Sequence, residues 1–311
     1  MIHNPVLAPL LLFTYKRLEP LKQTISALKK NYLAASTELY IYSDGSKSEK
    51  DAEQVNAVRE YLKTVDGFKK VVVVNAAQNK GLAKSIITGV TIALEKYDRV
   101  IVLEDDLLTT PNFLDFMNSG LSCYNDNEKV FSISGYSFDL GEAQPDGKPL
   151  SEAYFLNRGW SWGWATWKDR WEKVDWSVAD YNNFAMDKQA QQSFAKGGSD
   201  LNKMLQSQMT GQLDSWAIRW FFHQFKVSGL TLYPVHSKVY NNGFDQMATH
   251  TNGSDRRYRP RIDKQAKSSF VLPETAEINA FYYKKFRNKM GIVNRIISRV
   301  ESSIIQLLRK K

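Results

Sequence analysis

The sequence contains a single cysteine, Cys123, among its 311 residues. An internal disulfide needs two, so the fold is not disulfide-bonded, and a reducing compartment suits this composition. Its four histidines lack the paired Cys and His spacing of structural zinc sites. No apolar run approaches the roughly 20 residues that a membrane-spanning helix needs. These absences predict a cytoplasmic protein with no disulfide framework, structural zinc or membrane span.

The apolar run at residues 6–13 contains Pro9 and has no basic segment before it. A secretory signal peptide has a basic start followed by a longer apolar core. We therefore expect a buried first strand here instead. With 43% hydrophobic and 24% charged residues, the chain has enough apolar side chains for a full core.

The formal net charge is +9, and much of it lies near the C-terminus. Residues 282–311 contain nine lysines and arginines and a single acidic residue, Glu301. These cations are not interleaved with a recognisable nucleic-acid-binding motif, so we expect no nucleic-acid partner. The asymmetry instead predicts a basic surface at this end of the chain.

The first part of the chain alternates short apolar runs with helix-like segments. The strand-like runs are residues 10–13, 39–42, 71–74 and 99–103, and the helix-like segments are residues 20–30 and 52–63 and a segment beginning at residue 82. This alternation is typical of an α/β fold with a mostly parallel sheet flanked by helices.

Three consecutive carboxylates, Glu104, Asp105 and Asp106, directly follow the strand predicted at residues 99–103. Their mutual repulsion is relieved by a cation, and oxygen ligands suit Mn²⁺ or Mg²⁺. Ligands bind at the carboxyl ends of strands in open α/β sheets, where Asp44 is also expected. The sequence favours a metal site over the alternatives, a solvated acidic turn or a helix N-cap.

Four short motifs occur in a consistent order, at residues 13–17, 43–46, 79–83 and 103–106. Over about the first 130 residues this order resembles family 2-like glycosyltransferases of the GT-A fold, which is Rossmann-like. The triplet itself resembles that of the N-acetylglucosaminyltransferase I family. The resemblance implies metal-dependent transfer of a sugar from a nucleotide-sugar, with UDP as the expected nucleotide, to a glycan or lipid-linked glycan, with inversion at the anomeric carbon.

The same resemblance implies roles for individual residues. Asp44 would accept a hydrogen bond from the base, Glu104 would face ribose or sugar hydroxyls, and Asp106 would bind the metal. The implied donor-binding set is Thr14, Arg17, Asp44, Lys80, Glu104 and Asp105. For Lys80 the alternative is a solvated turn residue beside Gly81.

Residues 213–220 resemble the segment in which inverting members of the fold place their general base. Asp214 is the candidate, since a carboxylate there would take the proton from the acceptor hydroxyl. The alternative is an N-cap for the aromatic-rich helix predicted to follow. Arg219 is expected to pair structurally.

All eight tryptophans lie between residues 160 and 220. Trp160, Trp162 and Trp164 alternate with small residues, so an extended segment would place them on one face. Indole rings on one face favour an acceptor or sugar platform, and aromatic core packing is the alternative.

His250 ends a polar segment at residues 241–250. Some relatives contribute a late histidine to the metal, so His250 is a candidate ligand. The alternative is a loop histidine without a ligand.

The pattern divides the chain into three parts. We expect a nucleotide-sugar-binding half at residues 1–130, an acceptor-binding and catalytic half at 131–270 and a basic amphipathic C-terminal helix at 271–311. Apolar residues recur every four positions from 292 to 308 with cations around them. Such a helix binds an anionic membrane surface or docks on the domain with its basic side in solvent.

Two rival functions share part of this pattern. A sugar-phosphate nucleotidyltransferase normally has a glycine-rich phosphate loop after the first strand, but residues 12–20 contain no glycine. A non-catalytic glycan-binding protein would explain the tryptophans but would leave the acidic triplet without a role. The sequence therefore favours a glycosyltransferase.

Overall fold

The computed structural model describes residues 7–143, 151–243 and 257–309. Within these ranges the strands are β1 Leu10–Thr14, β2 Glu38–Ser43, β3 Lys70–Asn75, β4 Arg99–Glu104, β5 Leu107–Thr109, β6 Val130–Ser134, β7 Ala153–Leu156, β8 Trp164–Trp167, β9 Leu230–Pro234 and β10 Val239–Asn241.

The helices alternate with the strands through the first half and gather between β8 and β9 in the second. They are α1 Leu18–Lys29, α2 Glu49–Leu62, α3 Leu82–Lys96, α4 Phe113–Cys123, α5 Lys168–Trp171, α6 Tyr181–Met186, α7 Lys188–Phe194, α8 Leu201–Met209, α9 Trp216–Lys226, α10 Ala280–Lys289 and α11 Ile292–Arg309.

An eight-stranded sheet, ordered β3-β2-β1-β4-β8-β6-β9-β7, forms the centre of the molecule. Its first four strands are mutually parallel, β6 and β9 are also paired in parallel, and β8 and β7 are antiparallel to their neighbours. The predicted α/β fold with a mostly parallel sheet is confirmed. The sheet contains strands from both predicted halves, so the division at residue 130 is not a break in the sheet and remains a prediction.

Both faces of the sheet are buried at β1 and β4, which explains the nearly continuous apolar runs of these two strands. On one face, Leu10 and Leu12 lie in the core cluster that includes the apolar side of α1. On the other, Leu11 and Phe13 lie in the cluster that includes Ile86 of α3. Each fully buried aliphatic side chain contributes about 1.5–3 kcal/mol to the free energy of unfolding. This packing holds the strands, and therefore their ends, in place.

The C-terminal region forms two helices where one was predicted. The first, α10, docks on the domain, because Tyr282 stacks on Tyr154 with ring centroids 4.1 Å apart and Phe286 is buried beside Phe138. The second, α11, begins after Gly291. None of the helices in the described part of the chain is long and apolar enough to span a membrane.

Candidate active site

The carboxyl ends of β1, β2 and β4 meet at one edge of the sheet. Thr14 at the end of β1 lies opposite Ser43 of β2, and Phe13 lies opposite Glu104 of β4. The structure thus brings Thr14, Asp44 and the acidic triplet to one edge, as predicted from the positions of the strand ends.

Asp105 is a buried hydrogen-bonding centre at this edge. Its Oδ2 accepts from the Thr14 hydroxyl at 2.7 Å and from the Tyr15 backbone N–H at 3.3 Å, and its Oδ1 accepts from Arg17 Nη2 at 2.9 Å. The Thr24 hydroxyl donates to its backbone carbonyl at 2.9 Å. Burial raises the pKa of the Asp105 carboxyl, and the nearby Arg17 charge opposes that rise. Asp105 therefore fastens the loop after β1 to the end of β4.

Asp106 is more accessible, with 17% of its side chain exposed. Arg17 Nη2 donates to its Oδ2 at 2.6 Å, and the Asn242 backbone N–H donates to its carbonyl at 2.9 Å. The second contact arises because β10 pairs with β5 and carries residues 242 and 243 over the triplet. A carboxylate held in place yet open to solvent suits a divalent cation that shares phosphate oxygens with a substrate.

Gly243 leaves just enough room for the Asp106 carboxylate. A Cβ at this position would lie 2.2 Å from Asp106 Oδ2 and 3.0 Å from Asn241 Oδ1. The closest atom is the end of a side chain, so the carboxylate can move away at small cost to the fold.

We therefore expect Gly243→Ala to displace Asp106. If Asp106 binds the metal as the sequence predicts, this change should weaken Mn²⁺-dependent UDP binding at least tenfold, with a thermal midpoint within a few degrees of wild type. Calorimetric titration measures the binding. Asn242→Ala is the matched control, because the backbone N–H that it keeps still bonds to Asp106. Normal binding by Gly243→Ala would show that Asp106 is not needed in its present position.

The electrostatics of the triplet limit its charge. Burial, followed by the charges of Asp106 and Asp105, raises the pKa of Glu104 to about 8, and Arg17 opposes this. Desolvation lowers the pKa of Arg17, but the two carboxylates outweigh it and raise the pKa above its usual range. Near neutral pH the site thus combines a largely protonated Glu104 with a guanidinium between two carboxylates.

Asp44 joins the end of β2 to the start of α3. Its Oδ1 accepts from the backbone N–H groups of Gly45 at 2.9 Å and Lys80 at 2.8 Å, and its Oδ2 accepts from the Gly81 N–H at 3.0 Å and Asn79 Nδ2 at 3.2 Å. These donors match the roughly four acceptor positions of a carboxylate. The Lys80 side chain is exposed. Base binding by Asp44 and phosphate binding by Lys80 stay predictions.

The three predicted platform tryptophans do not share a face. Trp160 and Trp162 lie edge to face at 5.4 Å and contact Tyr136. Trp164 lies in the other core cluster, 1% exposed and 4.3 Å from the Trp220 ring. The shared-face prediction is wrong for Trp164.

The reason is a reversal of the backbone just before β8. Gly163 has a φ of 66°, in the left-handed region, so the alternation of an extended strand does not continue back through this position. Trp160 is also buried, at 6% exposure, whereas Trp162 keeps part of its surface accessible. Of the three, Trp162 is the one available for contact with a substrate.

Asp214 precedes α9 and is exposed. The alternative N-cap role is wrong, because Ser215 caps the helix by accepting from the Ile218 N–H at 3.3 Å. Arg219 donates to Asp214 at 3.4 Å, which agrees with its expected structural pairing. Trp216 stacks on Trp164 at 4.9 Å, so α9 begins close to the carboxyl ends of β4 and β6.

His250 lies outside the described residues, so its metal role stays a prediction. In the described ranges no group of three or more His, Cys, Asp or Glu side chains could hold a metal ion by itself.

Two supporting residues were not predicted from the sequence. Arg59 of α2 donates to the Ala76 carbonyl at 2.7 Å and to the Asp44 carbonyl at 3.4 Å, and Thr24 of α1 holds the Asp105 backbone. Arg59 and Thr24 both lie on helices, and the sequence pattern of a helix does not show which loop its polar side chains contact. Gly243 did have a sequence signal, since it follows two asparagines in a turn-like segment.

Comparisons with known proteins show what the first part of the chain is similar to. Two solved structures share 14% identity with it at a TM-score of 0.30: the mannosyltransferase PcManGT from Pyrobaculum calidifontis in complex with GDP-Man and Mn²⁺, and S. aureus TarS. The matches cover 41% and 45% of this chain but only 34% and 23% of those structures. No curated protein matches. Residues 10–117 match the family described as Glycosyl transferase family 2, so this part of the chain is similar to glycosyltransferase family 2 domains.

Proposed function

We propose that the protein transfers a sugar from a nucleotide-sugar, with UDP as the expected nucleotide, to a glycan or lipid-linked glycan, with inversion and with a divalent cation. The main support is the cluster formed by Arg17, Glu104, Asp105 and Asp106 within the family-matched region.

The cation would be Mn²⁺ or Mg²⁺ held at Asp106. When bound, it would neutralise negative charge on the departing diphosphate. Thr14 and Asp105 would keep the loop after β1 in position, and Arg17 would bind a phosphate oxygen. Glu104, largely protonated in the free site, would donate a hydrogen bond to a ribose or sugar hydroxyl.

On the acceptor side, Asp214 would remove the proton from the attacking hydroxyl, and Trp162 would contact the sugar. The start of α9 lies near the carboxyl edge that holds the triplet, which supports this arrangement. Asp214 is not enclosed by the protein, so the bound acceptor would complete its surroundings.

A panel of UDP-, GDP- and other nucleotide-sugars tests the proposal. With Mn²⁺ present, we expect one class to raise the thermal midpoint and to be slowly hydrolysed. A nucleotidyltransferase would instead release pyrophosphate from a nucleoside triphosphate and a sugar phosphate, and a glycan-binding protein would hydrolyse nothing. Either result would replace the proposed function.

The exposed face of α11 supports an anionic membrane as the place where the acceptor is found. Ile292, Val293, Ile296 and Val300 are 54–70% exposed. Arg295 and Ser298 lie on the domain side, where Arg295 donates to the Ser199 hydroxyl at 3.0 Å and Ser298 is buried. Over residues 292–300 the exposed apolar side chains thus face away from the domain, which supports membrane binding over docking through this side.

Exposed cations accompany this apolar face, including Lys284, Lys285 and Arg287 on α10. An outward apolar stripe on a basic segment fits an anionic lipid surface, where each cation adds about 1 kcal/mol. The same charges would repel each other across an interface between two copies of the chain.

We expect the full chain to sediment with phosphatidylglycerol vesicles at low salt and to be released as salt rises. A chain ending at Gly291, which keeps α10, should lose this binding, and the double variant Ile296→Ser and Val300→Ser should weaken it. Phosphatidylcholine vesicles are the control. Equal sedimentation of the full and shortened chains, or a full chain that dimerises through α11 and ignores vesicles, would contradict membrane binding.

A further inference from the structure

Arg17 binds two carboxylates of the triplet with one nitrogen. Its Nη2 lies 2.9 Å from Asp105 Oδ1 and 2.6 Å from Asp106 Oδ2. The Arg17 side chain is only 17% exposed, so its charge acts at short range in partly desolvated surroundings. Arg17 thus lies at the position where a cation bound to the triplet would be expected.

The two carboxylates depend on Arg17 to different extents. If Arg17 moved away, Asp105 would keep the hydrogen bonds from Thr14 and Tyr15. Asp106 would lose its ion pair, although the Asn242 N–H would still hold its backbone carbonyl. The carboxylate assigned to the metal is therefore the one whose side chain depends more on Arg17.

A divalent cation at Asp106 must compete with this guanidinium. Both need the same carboxylate, and their like charges repel strongly at such distances in a partly buried site. A bound diphosphate changes the balance, because its oxygens bring negative charge and can accept the paired N–H groups of an arginine. Arg17 could then leave Asp106 without losing an anionic partner.

We propose that Arg17 holds Asp106 in the empty enzyme and moves to a donor phosphate on binding, so that the metal binds well only together with the donor. This inference rests on the proposed function, since it assumes a nucleoside diphosphate and a cation at Asp106. It assigns Arg17 a regulatory part in metal binding in addition to donor contact.

The test measures Mn²⁺ binding to the full chain with and without UDP. The free Mn²⁺ is quantified by its electron paramagnetic resonance signal. Without UDP, Arg17→Gln should bind Mn²⁺ at least tenfold more tightly than wild type, because the competing charge is gone. The factor by which UDP strengthens Mn²⁺ binding should fall at least tenfold. Mn²⁺ alone should also raise the thermal midpoint of Arg17→Gln more than that of wild type.

Lys16→Gln is the matched control. It removes a cation from the same loop, but one that pairs with Asp51, so it should change Mn²⁺ binding less than twofold. Arg17→Lys keeps the charge and should leave Mn²⁺ binding without UDP near the wild-type value.

Three results would overturn the proposal: tight Mn²⁺ binding by empty wild-type protein, unchanged binding in Arg17→Gln, or an equal gain in Lys16→Gln. The first needs no variant, so the proposal stays testable if Arg17→Gln does not fold. A failure of the proposed function itself would give a different result from a failure of the Arg17 proposal. In that case Asp106→Asn would leave Mn²⁺ binding unchanged with and without UDP in both the wild-type and Arg17→Gln backgrounds.

Discussion

Asp106→Ala should abolish sugar transfer and Mn²⁺-dependent donor binding while leaving the fold intact. Asp106 is partly exposed, and Arg17 keeps its ion pair with Asp105 when Asp106 is removed, so no buried charge is left unpaired. The backbone hydrogen bond from Asn242 to its carbonyl is kept. What is lost is the carboxylate that would bind the cation beside the diphosphate.

The measurements are turnover with the donor identified by the panel, and calorimetric titration of UDP with and without Mn²⁺. Activity should fall to background, and Mn²⁺ should no longer strengthen UDP binding. Asp126→Ala is the control, because this exposed residue lies in the turn before β6, at the opposite edge of the sheet. If Mn²⁺ strengthens UDP binding equally in wild type and Asp106→Ala, the metal assignment is wrong.

The position of the triplet was predictable because it depends on local patterns. β1 and β4 are buried on both faces, so their sequences are nearly continuous apolar runs, and the polar residues that follow mark the sheet edge. The hydrogen bonds of Asp44 were not predictable. Its backbone donors at Lys80 and Gly81 are 36 and 37 residues away, and sequence periodicity does not show which backbone groups face a carboxylate.

The tryptophans show how one glycine changes an alternation. The pattern from Trp160 to Trp164 assumed a continuous strand, but β8 begins only at Trp164. Gly163 turns the backbone and lets Val239 approach, since a Cβ there would lie 2.8 Å from the Val239 Cγ2. Sequence could indicate a close approach at this glycine, but not that the neighbour is a protein side chain.

The C-terminal helix was predictable in part. Apolar spacing predicts the helix that appears as α11, because a four-residue period is local information. The docking of α10 depends on Tyr154 and Phe138, more than 100 residues earlier in the chain, which no local pattern identifies.

Asp214→Asn should lower turnover by roughly 10²–10⁴, the usual contribution of general acid-base catalysis, with little change in donor affinity. Asparagine keeps the size of the side chain but cannot accept the proton. Its carbonyl oxygen can still accept the hydrogen bond from Arg219, so the start of α9 should keep its structure, and Ser215 still caps the helix. The loss should therefore appear in kcat and not in UDP binding.

A glycosyl-transfer assay with the identified donor and acceptor measures this loss, and NMR of the product gives its anomeric configuration. Asp126→Asn is the matched control for the same change at an exposed site in the turn before β6. The Asn variant also separates two roles. If Asp214 is the general base, the variant has a reduced turnover that rises with pH, because hydroxide replaces the missing base. If Asp214 only positions the acceptor, the variant has a raised KM and an unchanged kcat. Normal turnover in Asp214→Asn, or retained configuration in the product, would show that the proton is removed elsewhere.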